Sequence, residues 1–348
     1  MGRPYAVLAV CVAASACSDA LEQTSSAGQV IAAVNAGDHT VSFVSATDQS
    51  VRTLDLQTPA RAATTADGRG STVLVPLGTD SVAVIHNTGL CAGTCVRPVV
   101  VFPLARGGGA TGVAIQDDSI AWIANPTLNT VTRLNYQSGG TRSVAVGVYP
   151  DAVVIARGRV FVVNANLVSG SPAGPSWLTS FDCCGSGPTP ADSIPLTGAR
   201  ARAIVTGGDS LLYVIAGGHA GAGDGKLSIV DPALRTELAV LNGLGESPGN
   251  AAFHPSGRLL VSSLTNGILE VNTLTRTLSR GPGNGVKPGG HGVSDVALDL
   301  RGHVYALDPG TCATPGVVHV LAAPPDYGEI RPVPVGVCPQ SAAVATTP

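Results

Sequence analysis

Two histidines in this chain stand between glycines, His219 in AGGHAGAGDG and His291 in KPGGHGVSD. An imidazole titrates near neutral pH, so either could serve as a general base, a hydrogen-bond donor or a metal ligand. Asp224 follows the first and Asp295 the second, and Glu246 lies further off. Arg200 and Arg202 alternate in GARARA. Side chains two apart on an extended strand share a face, and paired guanidiniums suit a carboxylate or a phosphate. His39 beside Asp38, Tyr149 beside Asp151, and Asn250 complete the polar residues that a ligand could meet. The glycine runs GAGDG and GNG lack the strand–loop–helix context of a phosphate loop.

The elements that must position these residues are short strands. Apolar runs begin at Val30 (VIAAVN), Thr72 (TVLVPL), Ile120 (IAWIAN), Val160 (VFVVNA), Leu211 (LLYVIA), Leu259 (LLVSSL) and His303 (HVYALD). Spacings of 40 to 51 residues mark a radial repeat of four-stranded sheets. Each run reads as the second strand of a blade. First strands are expected at Ala60–Ala66, Thr111–Gln116, Ala152–Ala156, Ala201–Thr206, Asn250–Phe253, Ser294–Leu298 and Ser341–Thr346. The first repeat has no first strand and the last first strand has no successor. The sequence therefore predicts an all-β, seven-bladed propeller of antiparallel blades, closed by its C-terminal strand in the N-terminal blade, which leaves no open edge. TADGRG, IARGRV, FHPSGR and LDLRGH fill equivalent turns between first and second strands, where glycine supplies positive φ.

This topology places the loops between second and third strands, and those between blades, on one face around the channel. His39, Tyr149, Arg200, Arg202, His219, Asn250 and His291 all fall there, as the candidate ligand-binding residues. His254 and His303 fall at the opposite end, and His86 and His319 in outer strands. Asn125 and Asn164 end second strands, where Asn caps turns. The long loops Asn164–Trp177, Ala216–Lys226 and Arg280–Asp295 are the natural carriers of a binding function.

VFVVNA, LLYVIA, KLSIVDPAL, HTVSFVSAT and DSVAVIHNT together resemble the YVTN-type propeller repeat, with its "lYVaN" and "tVsvID" strands. The resemblance covers nearly all of residues 28–348 and implies the propeller fold. That family includes binding, surface and enzymatic proteins. In blade count the chain also resembles the propeller-fold streptogramin lyases. That likeness implies a channel-face base, His291, with Asp295 or Glu246 as its acidic partner in a metal-assisted site. The repeated Trp-Phe-Thr-Glu strand ends of that group are absent.

The N-terminus, MGRPYAVLAVCVAASAC, carries Arg3, an apolar run too short to span a bilayer, and small residues before Cys17. Residues 1–16 read as a signal peptide. ASAC resembles the lipobox of bacterial lipoproteins, which implies lipidation of Cys17, with residues 17–27 as a tether. An exported chain of this kind forms disulfides. Cys91 with Cys95, and Cys312 with Cys338, are the expected bridges. Cys183 and Cys184 read as a pair in a surface turn, with a vicinal disulfide as the alternative.

The chain has 348 residues, 12% of them charged, a net charge of −3 and only two lysines, Lys226 and Lys287. Without a basic stripe, nucleic-acid binding is not expected. The expected function is that of a monomeric, lipid-anchored envelope propeller. It would bind a protein, peptide or glycan through its channel-face loops, with no metal or cofactor. The alternative is an enzyme of lyase or lactonase type using His291.

Overall fold

The computed structural model describes residues 28–58, 65–86, 99–183 and 191–347. Seven four-stranded antiparallel sheets form a β-propeller, with almost no helix. Numbering blades along the chain, blade 1 combines Gln29–Asn35, Thr40–Ser45 and Val51–Asp55 with the C-terminal strand Pro339–Thr346 as its innermost member. Val34 pairs with Ser341 and Val30 with Ala345, so the expected closure is present. Blades 2 to 7 start on Asp67–Arg69, Val113–Ile115, Pro150–Ala156, Ala201–Thr206, Pro248–His254 and Asp295–Leu298. Each first strand lies against the first strand of the next blade, around to the closing strand and back to blade 2.

Both faces of a blade press on neighbours, which is why second strands read as unbroken apolar runs rather than alternating ones. Val73, Leu74 and Val75 are all buried, for example. The core is correspondingly divided into seven clusters, one per seam. Ile31 and Ala33 of blade 1 meet Tyr305 and Leu307 of blade 7, while Val30, Ala32 and Val34 face Val73 and Val75 of blade 2.

Blade 2 departs from the sequence expectation. Its described first strand is Asp67–Arg69, so the Asp-Gly pair expected in a turn lies in the strand, and the turn follows at Gly70 with φ +53°. Two contacts draw Asp67 and Gly68 into the ring. The Asp67 carboxylate accepts the Ile115 N–H of blade 3 at 2.7 Å. A Cβ on Gly68 would sit 2.1 Å from the Val344 carbonyl oxygen, so only glycine lets the two backbones come this close. The Asn164–Trp177 loop also carries more structure than expected, a two-stranded hairpin of Leu167–Val168 and Ser171–Pro172.

The Cys312–Cys338 disulfide is present and ties the blade 7 loop to the start of the closing strand. Cys183 is buried rather than at the surface, because its thiol donates to the Gly158 carbonyl at 3.1 Å and joins the seam between blades 3 and 4. The signal peptide, the lipidation of Cys17, the Cys91–Cys95 bridge and Cys184 lie outside the described residues.

Candidate functional site

Four of the first strands begin with the same backbone device. A residue in the left-handed region comes first: Tyr149 (φ 55°), Arg200 (φ 54°), Ser247 (φ 48°) and Cys338 (φ 58°). The ladder then slips, between Pro150 and Ala152, Ala201 and Ala203, Pro248 and Ala251, and across Pro339 and Ser341. Such a bulge takes a residue out of the regular register and re-aims its side chain. The residues in the slips are Asp151, Arg202, Gly249 with Asn250, and Gln340, and all of them line one cavity at the channel mouth.

A glycine two residues ahead of the left-handed residue makes all four turns possible, Gly245 among them, where a Cβ would lie 2.8 Å from the Pro282 Cγ. A Cβ on Gly147 would lie 2.5 Å from the Trp177 ring, on Gly198 2.5 Å from the Ala216 Cβ, and on Gly336 2.6 Å from the Asn35 Nδ2. The fourth strand can therefore cross onto the next blade only where no side chain intervenes.

The cavity has a volume of about 750 Å³, within the range of small-molecule sites. Tyr149, Arg200, Arg202, Asn250 and His291 meet in its wall; His39 and His219 do not. His219 instead closes its own loop, with its Nδ1 2.8 Å and its backbone N–H 2.7 Å from Asp224. These bonds hold the Asp224 carboxyl below the usual carboxylate range. Glu246 accepts the Gly221 N–H of the same loop, away from His291. Leu167 of the hairpin and Leu264 of blade 6 add an apolar rim.

His291 pairs with neither Asp295 nor Glu246. Its Nδ1 lies 2.7 Å from Asp308 Oδ2, while the Asp308 Oδ1 accepts the Gly310 N–H at 2.8 Å. The imidazole is 64% exposed and the carboxylate 8%, so a buried acid holds a ring that faces the cavity. Behind them, His319 Nε2 is 3.7 Å from the same Asp308 oxygen, and His319 Nδ1 is 2.5 Å from Glu329. His319, in a third strand and remote from ligands by sequence, thus stands one residue behind the cavity wall.

Asp308 has a signal in the repeat. Asn35, Asn125 and Asn164 end second strands, and each donates through Nδ2 to a hydroxyl on the third strand, Ser42, Thr132 and Thr179 respectively, at 2.9 Å. They bridge strands rather than simply capping turns. Blade 7 has Asp308 at this position, and its carboxylate turns to His291 instead.

Asp295 is 3% exposed and spans three first strands. It accepts from Asn250 of blade 6 at 3.0 Å, from Ala342 of the closing strand at 2.7 Å and from its own neighbour Val296 at 2.7 Å. Burial outweighs these bonds and the pull of Arg202, and pushes its carboxyl up to about 7. Tyr149 is also raised, first by burial and then by the charge of Asp151, with Arg200 opposing. Among the described residues no three His, Cys, Asp or Glu side chains gather into a metal cradle. The donor set around His291 therefore does not fit the metal-assisted site implied by the lyase resemblance.

No protein-family model and no curated protein matches the chain. Solved structures do. Hydrazine synthase of Kuenenia stuttgartiensis aligns with TM-score 0.64 and 13% identity over 82% of this chain and 90% of its own. A streptogramin B lyase aligns at 0.61 and 11% over 81% and 90%. Virginiamycin B lyase from Staphylococcus aureus gives 0.56 and 12% over 77% and 84%. At such identities the likeness is one of fold, and the chain is a seven-bladed propeller similar in architecture to these three.

Proposed function

We propose that this protein is an exported binding propeller that takes a small molecule, or the residue-sized end of a peptide or glycan, in the channel-mouth cavity. The observation that carries this reading is the convergence of Tyr149, Arg200, Arg202, Asn250 and His291 on one cavity of about 750 Å³. A concave site with a few converging polar groups and an apolar rim is the usual form of a ligand pocket. The YVTN-like repeats and the N-terminal signal support an envelope location, with Cys17 as the lipid anchor. Cell fractionation tests the anchor: Cys17→Ser should move the protein from membrane to soluble fractions.

The cavity is tested by thermal-shift screening of envelope metabolites, short peptides and oligosaccharides against the wild type and Leu264→Arg. Leu264 is 57% exposed on the rim, so the arginine blocks the mouth without disturbing the core. A hit that raises Tm in the wild type and not in Leu264→Arg supports the site. Hits that persist in the blocked variant, or none at all, overturn it.

A second reading, an enzyme with His291 as general base, is favoured by the His291–Asp308 pair. A carboxylate on Nδ1 fixes the tautomer and leaves Nε2 to take a proton. Turnover of a bound ligand, followed by NMR, should then disappear in His291→Ala while binding persists. Unchanged turnover removes this assignment.

A further inference from the structure

Arg200 and Arg202 line the cavity and are not among the ion-paired arginines of the described residues. Arg69, Arg159, Arg235, Arg258 and Arg301 each pair with a carboxylate. Among the described residues, neither Arg200 nor Arg202 makes a hydrogen bond or ion pair through its guanidinium, and the Arg202 Nε is buried without a partner. The two side chains also run together. A Cβ on Gly217 would lie 3.8 Å from the Arg200 Cδ and 3.9 Å from the Arg202 Cδ, so both stems cross the same glycine. The left-handed turn at Arg200 and the ladder slip at Arg202 hold them in this arrangement.

Two like charges side by side repel, and a buried N–H without an acceptor is unfavourable. An oxyanion relieves both conditions at once, because the guanidinium fork matches carboxylate and phosphate oxygens. We propose that Arg200 and Arg202 form an oxyanion clamp, and that the ligand of the cavity is an organic acid whose carboxylate or phosphate head lies across both guanidiniums. The cavity is much larger than the head alone, so the rest of the ligand extends toward His291 and the Leu167–Leu264 rim. This inference rests on the cavity being the binding site and names the chemistry that the site selects. Gly217 borders the clamp, with both arginine stems at van der Waals distance from where its Cβ would lie.

The test is calorimetric titration of the protein with benzoate and phenyl phosphate, with benzamide and benzyl alcohol as neutral controls, and with inorganic phosphate. Wild type should bind an aromatic acid more tightly than inorganic phosphate, bind neither neutral control, and lose affinity as salt is raised. Binding of benzoate, phenyl phosphate or both upholds the clamp, and the stronger of the two identifies the preferred head group. Arg200→Met and Arg202→Met should each weaken the acid by about tenfold or more, as loss of charged hydrogen bonds implies. Without ligand, Arg200→Met should melt at or above the wild-type temperature, because it removes a repulsion, whereas Arg202→Met also gives up its pull on Asp295.

The clamp is overturned if acid and neutral probes bind alike, if the double variant binds acids as the wild type does, or if Arg200→Met melts well below wild type. A neutral ligand that Leu264→Arg excludes and the arginine variants leave unchanged would overturn the clamp and leave the cavity standing. If no compound of any class binds at the cavity, both readings fall.

Discussion

Replacing Asp295 with Asn should change how the stability of the ring depends on pH. Asp295 is almost fully buried, and its carboxyl sits at about 7, against about 3.9 in an unfolded chain. The folded state therefore holds this proton more tightly than the unfolded one. The stability linked to it is complete below about pH 4 and is lost as pH rises through about 7. Integrated over that window, ionising Asp295 destabilises the fold by about 4 kcal/mol, of which about 3 kcal/mol falls between pH 5 and pH 8. An amide at this position cannot ionise. It forfeits part of the hydrogen bonding from Asn250, Ala342 and Val296, but this loss is the same at every pH. The difference between the two stability profiles thus isolates the carboxyl. Urea unfolding at several pH values should show the Asp295→Asn variant gaining on the wild type by about 3 kcal/mol from pH 5 to pH 8, or about 4 °C in Tm for a chain of this length. Parallel profiles would refute the argument that burial outweighs the hydrogen bonds at Asp295.

Three further outcomes follow from the ring. Deleting residues 338–348 removes the strand that pairs with Val30 through Asn35; the truncated chain should lose its cooperative melt, and an unaltered transition by calorimetry would refute closure by this strand. Changing Cys312 and Cys338 together to Ser opens a loop with a sequence separation of 26, which the chain-entropy treatment sets at about 3.5 kcal/mol; non-reducing denaturation of the wild type beside the variant measures it. Gly147→Ala places a methyl 2.5 Å from the Trp177 ring and should destabilise by about 1–3 kcal/mol through overpacking; a denaturation midpoint equal to wild type would show that the fourth strand of blade 3 can shift aside.

The sequence carries the architecture further than it carries the site. The repeat is written in apolar runs buried on both faces, so the period, the seven blades and the composite closure can be read from residue types alone, and Ala201–Thr206 is delimited to the residue. Blade 2 reads less well because Asp67 and Gly68 look like a turn, and only the approach of Val344 and Ile115 makes them a strand. Of the residues picked out by type, Tyr149, Arg200, Arg202, Asn250 and His291 line the candidate cavity and His39 and His219 do not, since a loop position in the repeat does not say where its side chain points. Asp308 escapes notice because it lies 17 residues from His291, at the end of an apolar run. Its one trace is an acid where three other blades have Asn. His319 looks remote in its outer strand, though strand pairing brings it behind Asp308.

The ladder slips at the mouth of the channel separate two tasks that most β-proteins combine in the same residues. Asp151, Arg202 and Gln340 stand outside the paired register, so exchanging one would alter what the mouth offers a ligand without removing a ladder pair; Asn250 also lies in a slip but is tied to Asp295. In a ring of nearly equivalent blades, these off-register positions are also what breaks the rotational equivalence. A guest bound there, as proposed, would meet Asp151 from one blade and Arg202 from the next, and that sequence of side chains would set its orientation about the propeller axis. Recognition can then be rewritten one blade at a time, on a scaffold whose closure is secured elsewhere.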